Sequence, residues 1–125
     1  MSNVLTFGST LKDTLASAVE TAVGSSATLE FQTSGAAATV ATLTLSADPF
    51  TGPSSGTITL ADTPLQDTNA AGDASPMAQF QIKSAGTTLQ VQGTVGTSGE
   101  AINFPDGLTV DAGDTVELTS FTITF

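Results

Sequence analysis

The chain has 125 residues, of which 39% are hydrophobic and only 11% are charged, and its formal net charge is −10. This length suits one domain with an ordinary core, and the hydrophobic content excludes a chain that stays disordered for lack of apolar surface. Lys12 and Lys83 are the only basic side chains. Nucleic acid and anionic membranes are therefore excluded as direct partners, because both need several cations to neutralise their charge.

The first predicted element is a short amphipathic helix over residues 10–23. Thr10 is placed to cap its start, with Asp13 as a weaker capping-box acid, and Gly24 can end it. We expect this helix to pack on the edge of the domain. The alternative is an arm, residues 1–10, that docks on a neighbouring molecule. Apolar residues recur at helical spacing and form the face predicted to pack. They are Leu11, Leu15, Ala18, Val19, Ala22 and Val23.

After Ser26 the hydrophobic period changes from 3.6 residues to two, which is typical of strands with one face in a core. Seven or eight such strands predict an all-β fold, either a β-sandwich or jelly-roll-like. We expect residues 1–26 to form the N-terminal segment and helix, and residues 27–125 the β-sandwich, within one globular domain. The residues predicted to point inward are Leu29, Phe31, Ala41, Leu43, Leu45, Ile58, Leu60, Ala78, Phe80, Ile82, Leu89 and Val91.

Turn residues separate these alternating runs. Ser84-Ala85-Gly86 predicts a tight hairpin, and residues 111–114 predict a turn before the last strand. The longer connections are residues 35–38, 49–56 and 62–76. The last of them is too long for a hairpin, so a surface loop or a crossover is expected there.

The last predicted strand changes phase in its middle. Val116 and Leu118 have one parity, whereas Phe121, Ile123 and Phe125 have the other. A β-bulge inserts one extra residue and so returns both groups to one face. We therefore expect a bulge at residues 119–120.

The side chains available for chemistry are few, because histidine, cysteine and arginine are all absent. A Ser-His or Cys-His nucleophile and an ordinary zinc site are excluded. Paired carboxylates could hydrolyse glycosides, but the chain has no Trp or Tyr to line a sugar cleft. The sequence therefore predicts no enzyme and no cofactor.

The acids and phenylalanines allow more than one interpretation. Asp62, Asp67 and Asp73 cluster in one loop, and Asp106, Asp111 and Asp114 cluster around the last turn. Their spacing is not that of a calcium loop, so solvated turn acids are favoured over a metal site.

The phenylalanines mostly have inward parity and are expected in the core. Phe50 and Phe104, which are flanked by Pro and Gly, could instead anchor an interface.

The C-terminal third carries a resemblance to a known family. The runs VQGTVGTSGEAINF and LTVDAGDTVELTSFTITF, together with ATLEFQTSGAAATVATLTLS near the start, resemble small structural proteins of tailed-bacteriophage virions. The shared pattern is a Gly-Thr-Val-Gly-Thr-Ser-Gly stretch, a Val-x-Ala-Gly-x-Thr-Val turn and a Thr-Ser-Phe-Thr last strand. As in that family, a short amphipathic helix precedes the opening strand pair.

The resemblance implies a head decoration, or cement, protein that is made in the host cytoplasm and lies on the phage head. It would bridge subunits of the major capsid protein and associate with itself, as a trimer or, less favourably, a dimer. The alternatives are another virion component, in the tail, neck or fibre, and a receptor- or carbohydrate-binding β-sandwich module. The expected partner contacts are Asn3, Val4, Leu5, Phe7, Phe50, Asp67 and Asn69.

Overall fold

The computed structural model describes residues 5–125 and shows one helix followed by ten strands. Helix α1 spans Ser9–Val23, and a 3₁₀ turn, Ser34–Ala36, follows the first strand. The strands are β1 (Thr28–Gln32), β2 (Thr39–Thr44), β3 (Phe50–Ser54), β4 (Thr57–Leu60), β5 (Leu65–Asp67), β6 (Gln79–Ser84), β7 (Thr88–Gly96), β8 (Ile102–Asn103), β9 (Val116–Leu118) and β10 (Thr122–Thr124). The expected all-β fold with one short N-terminal helix is confirmed.

The strands form three sheets around a shared core. The largest sheet has the order β2-β1-β6-β7-β8, the second has the order β10-β4-β3, and the third is the pair β5-β9. All pairings are antiparallel except β7 with β8. Buried side chains from all three sheets and from α1 belong to one hydrophobic cluster. The helix is therefore part of the core, not an appendage.

Aromatic packing organises the centre of this core. Phe31 on β1 lies opposite Phe80 on β6, and both are almost completely buried. Phe104 packs edge-to-face on Phe31, and Phe121 packs in the same way on Phe80, each with 5.3 Å between ring centroids. Such pairs stabilise by roughly 0.5–1.5 kcal/mol beyond the area that they bury. The two central strands are thus connected to the C-terminal quarter of the chain.

The outer face of the largest sheet carries a chain of glutamine hydrogen bonds. Gln79 donates to Gln32 (2.9 Å), Gln32 donates to Gln81 (3.1 Å), and Gln81 donates to Gln92 (3.0 Å). Gln32 is only 3% exposed, and its amide is satisfied because it both accepts and donates. The glutamine side chains of this polar face therefore hydrogen-bond to one another.

Strand β7 contains a bulge that the sequence analysis did not anticipate. Val91 lies opposite Ile82, but Leu89 lies opposite Lys83, so Gln90 is an extra residue in β7. One extra residue reverses the side-chain alternation. The prediction that Leu89 points inward is therefore wrong, and Leu89 is 49% exposed.

The expected bulge at residues 119–120 is also wrong, although pairing does stop there. Residues before the break, in β9, pair with β5, whereas residues after it, in β10, pair with β4. The chain passes from one sheet to another and carries Phe121 into the core on the way. The parity change in the sequence marks this change of sheet.

Two predicted connections contain strands, and the predicted turns are present. β3 lies within residues 49–56, and β5 lies within residues 62–76. The hairpin turn between β6 and β7 has positive φ at Ala85 and Gly86 and a Thr87 N–H to Ser84 O bond of 3.1 Å. Asp114 N–H closes the other turn on Asp111 O.

The start of α1 differs from the prediction. Gly8, not Thr10, occupies the N-cap position, and no side chain caps it. Asp13 instead accepts a 2.7 Å hydrogen bond from the buried N–H of Gly56, in the turn between β3 and β4. Gly56 has φ +79, and a Cβ there would lie 2.6 Å from Lys12 Cβ. The helix can approach this turn closely only because residue 56 is glycine. At the other end, Gly24 closes the helix as predicted, with φ +75 and its N–H on Glu20 O.

We predict that Asp13→Ala lowers the free energy of unfolding by about 1–3 kcal/mol, because it leaves the buried Gly56 N–H without its charged acceptor. Urea unfolding followed by circular dichroism measures this. Ser17→Ala, an exposed change on the same helix, should stay within about 0.5 kcal/mol of the parent. Equal effects from the two substitutions would show that the Asp13 bond does not hold the helix.

Candidate assembly surface

The residues before the helix form an exposed apolar segment. Residues 5–8 have no regular secondary structure, and Gly8 has extended backbone angles. Leu5 is 88% exposed and Phe7 is 46% exposed. Large apolar side chains are rarely left in water without a partner when several lie together. Leu5 and Phe7 are therefore candidates for contact with another molecule, as the sequence analysis expected.

The helix also exposes apolar side chains, because it buries only part of its predicted face. Ala16 and Val23 are fully buried and Val19 packs against the core. Leu11 is 48% exposed, Ala18 and Ala22 are also exposed, and Leu15 is half-buried. Positions separated by 4, 3 and 4 residues lie on one side of a helix. We call the following set the N-terminal apolar surface: Leu5, Phe7, Leu11, Leu15, Ala18 and Ala22.

The other expected contacts divide into several groups. Asp67 is half-buried and accepts hydrogen bonds from Thr42 N–H (2.9 Å) and Asn69 N–H (3.0 Å). It therefore fixes β5 beside β2, while Asn69 itself is exposed. The helix packs on β3, β4, β6 and β7, away from this loop. The structure thus does not bring the two expected contact regions together. Asn3 and Val4 lie outside the described residues.

Phe50 cannot anchor an interface, and this expectation is corrected. The side chain is 2% exposed and belongs to the core cluster. It begins β3 opposite Leu60 of β4, so the neighbouring Pro49 marks the entry to a strand. Phe104 is half-buried against Phe31.

A groove runs along the outer side of β9 and was not expected from the sequence. One cavity of about 540 Å³ is lined by residues 101–106 and 117–120. A second, of about 230 Å³, is lined by Met77 and by residues from 104 to 117. Both cavities touch Phe104, Asp106 and Glu117. We call these two adjoining cavities the β9 groove. The phase change in the last predicted strand was the only sequence signal for it, since the break in pairing borders the groove.

Carboxylates in both acidic clusters, among them Asp73 and Asp114, accept hydrogen bonds from nearby backbone. Asp73 accepts from Ser75 N–H (2.8 Å), and the Asp114 side chain accepts from Asp111 N–H (3.0 Å). Within residues 5–125, no three acids, histidines or cysteines are grouped so that they could hold a metal ion. These acids stabilise turns.

Glu20 is the acid whose environment is least favourable to its charge. Its Oε1 is buried without a hydrogen-bond partner among the described residues. Burial, and secondly the negative charge of Asp48, raise the pKa of Glu20 above its ordinary value. The charged form therefore costs folding free energy at neutral pH.

The chain as a whole matches no family model, no curated protein and no solved structure. Across residues 5–125, no helix is both long and apolar enough to span a membrane. Any assignment of function must therefore rest on the surfaces described above and on the resemblance in the sequence.

We predict that Phe7→Ala changes the free energy of unfolding by less than about 0.5 kcal/mol, because Phe7 is a surface residue. Phe50→Ala should lower it by about 3–5 kcal/mol, because a buried ring leaves a cavity. Denaturant unfolding of both variants compares a surface Phe with a core Phe in the same chain. A large loss for Phe7→Ala would place that ring in the core.

We also predict that Glu20→Gln raises the melting temperature at pH 7, because it removes a carboxylate whose folded-state pKa is raised. Below the ordinary pKa of a glutamate the carboxyl is protonated in both states. The advantage of Glu20→Gln should therefore shrink as the pH falls through the raised folded-state pKa and disappear below the ordinary pKa. Thermal melts from pH 7 to pH 3 measure it, with the exposed Asp62→Asn as the control. If the melting temperatures of Glu20→Gln and the parent differed by the same amount at every pH, the raised pKa of Glu20 would be contradicted.

Proposed function

We propose that the protein is a structural component of a bacteriophage virion, a decoration protein that binds the outside of the head. In this role it bridges subunits of the major capsid protein and catalyses no reaction. The observation that carries the proposal is the N-terminal apolar surface, which leaves Leu5 88% exposed on an otherwise well-buried protein. The resemblance of residues 91–125 to small virion proteins supports the choice of partner.

The remaining surface suits a protein displayed in many copies. The outer face of the largest sheet is occupied by threonines and by glutamines that bond to one another. The net charge of −10 disfavours non-specific association between copies. Attachment would then be confined to the N-terminal apolar surface, where the chain has no acid before Asp13.

The size of this surface predicts weak attachment for a single copy. Fully burying Leu5 and Phe7 contributes roughly 1.5–3 kcal/mol each, whereas a dissociation constant of about 1 mM already corresponds to roughly 4 kcal/mol. Stable decoration therefore requires several linked contacts, which an oligomer on a symmetric shell supplies. We propose a trimer over threefold positions as the favoured arrangement, with a dimer over twofold positions next.

Binding to undecorated heads tests the proposal. The variants are Leu11→Ser with Ala18→Ser, which alters the helical part, and Leu5→Ser with Phe7→Ser, which alters the segment. We expect each pair to reduce occupancy at least about tenfold. Leu89→Ser is the matched control, because Leu89 is 49% exposed, like Phe7 at 46%, but lies on β7.

Full occupancy by both double variants, or no binding of the parent protein to heads, would refute the proposal. Binding to purified tails or to host cells in place of heads would favour the other virion roles or a receptor module. A second readout is the release of the genome on heating. Heads decorated with the parent protein should withstand a higher temperature than undecorated heads.

A further inference from the structure

The β9 groove is bordered by two strand edges that have no partner within the described chain. β9 pairs with β5 on one side only, and β8 pairs with β7 on one side only. In an edge strand, alternate N–H and C=O groups point away from the paired neighbour. Phe104 N–H donates to Gly96 O (2.8 Å), so the N–H and C=O of Asn103 point away from β7. Both walls of the groove therefore offer main-chain hydrogen bonds.

Buried apolar residues lie beneath the groove, its larger cavity exposes mostly polar surface, and its rim is acidic. Ile102, Val116, Leu118 and Met77 are buried core residues that line it. Asp106 and Glu117 are exposed and line both cavities. An extended peptide can bind such a site by strand addition. Its main chain forms hydrogen bonds with a strand edge, and alternate side chains point into the groove.

The segment Leu5–Gly8 has the properties of a strand for this groove. Leu5 and Phe7 share one side of an extended chain, and Thr6 lies on the other. Residues 1–12 contain no acid and one lysine, whereas the remaining 113 residues carry 12 acids and one lysine. This is the part of the chain that an acidic rim repels least. Leu5 is 88% exposed, so the segment does not lie in the groove of its own chain.

The geometry points to strand exchange between copies: Leu5–Gly8 of one copy adds to the edge of β9 in a second copy. Leu5 and Phe7 then pack over the residues beneath the groove, and the segment extends the β5-β9 pair to three strands. Reciprocal exchange gives a twofold dimer, and one-way exchange gives a ring if the rotation between copies closes and an open filament if it does not. This inference extends the proposed function, because it supplies the self-association that shell binding needs and leaves the helical part of the N-terminal apolar surface, Leu11 and Ala18, to contact the shell. It does not require a shell, so it can fail while shell binding stands.

Single-cysteine variants test the exchange sharply, because the chain has no cysteine of its own. Thr6→Cys places a thiol on the segment without changing Leu5 or Phe7, and Thr119→Cys places one at the groove. Mixing the two variants under mild oxidation should yield a cross-linked heterodimer as the main product. Thr87→Cys, at the exposed tip of the β6–β7 turn, replaces Thr6→Cys in the control mixture and should give little.

Sedimentation over a range of protein concentrations provides the second measurement. The parent protein should self-associate, and Leu5→Ser with Phe7→Ser should weaken this association by more than about a hundredfold. Leu11→Ser with Ala18→Ser should leave it unchanged, since the helical residues do not enter the groove. Thr119→Trp should weaken it as well, provided that its melting temperature matches the parent.

The inference is overturned if the parent stays monomeric at all concentrations, or if Thr87→Cys cross-links as well as Thr6→Cys. Cross-linking of a Thr6→Cys, Thr119→Cys double variant within one monomer, and not between copies, would also overturn it. Loss of exchange in solution together with normal binding to heads would reject this inference alone. Loss of head binding by Leu11→Ser with Ala18→Ser, with exchange intact, would support separate roles for the two parts of the surface.

Discussion

The pair formed by Phe31 and Phe80 is the contact on which the rest of the structure depends. The two residues are paired across the central strands β1 and β6, and each ring packs edge-to-face with a second ring, from Phe104 and from Phe121 respectively. Both partners come from the part of the chain that follows β8. The aromatic cluster therefore fixes where the C-terminal segment crosses from the β5-β9 pair to β10, and this crossing borders the β9 groove.

This core also explains why apolar surface is left over at the N-terminus. The three sheets already enclose the aromatic cluster, so α1 covers one remaining side with Ala16, Val19 and Val23. Its position is set by the close approach to Gly56 and by the Asp13 hydrogen bond. With the helix held in that rotation, Leu11 and Ala18 point away from the core. The apolar residues that α1 leaves exposed, Leu11, Ala18 and Ala22, are therefore available to a second partner.

The contrast between two surfaces of the molecule supports a role in assembly. On the outer face of the largest sheet, Gln32, Gln81 and their neighbours hydrogen-bond to one another. The β9 groove and the N-terminal apolar surface do the opposite, because they leave strand edges and apolar side chains without partners in the described chain. Unpaired edges are an aggregation hazard unless they have a specific occupant. An exchanged segment would satisfy both surfaces at once.

The hydrophobic periodicity of the chain was enough to predict the all-β class, the helix at the start and most of the core. It correctly identified inward positions of β1, β2, β4 and β6, because the apolar residues that alternate with polar ones in these strands are buried, but it missed Val40 beside Ala41. The Ala85-Gly86 turn was also predictable, since a two-residue hairpin turn needs positive φ. Exposure of Leu5 and Phe7 followed from their distance from any periodic element.

The remaining features depend on pairing and packing between segments that are distant in the sequence. The bulge at Gln90 turned Leu89 outward, and no local pattern distinguishes a bulged strand from a regular one. The change of sheet after Leu118 was interpreted as a bulge. A change in side-chain parity shows that strand pairing is interrupted, but not which strand the chain pairs with next. Phe50 sits at the start of a strand in the core, although its Pro and Gly neighbours indicated a loop. The β9 groove depends on which strand edges remain unpaired, and pairing between distant segments is set only when the whole core assembles.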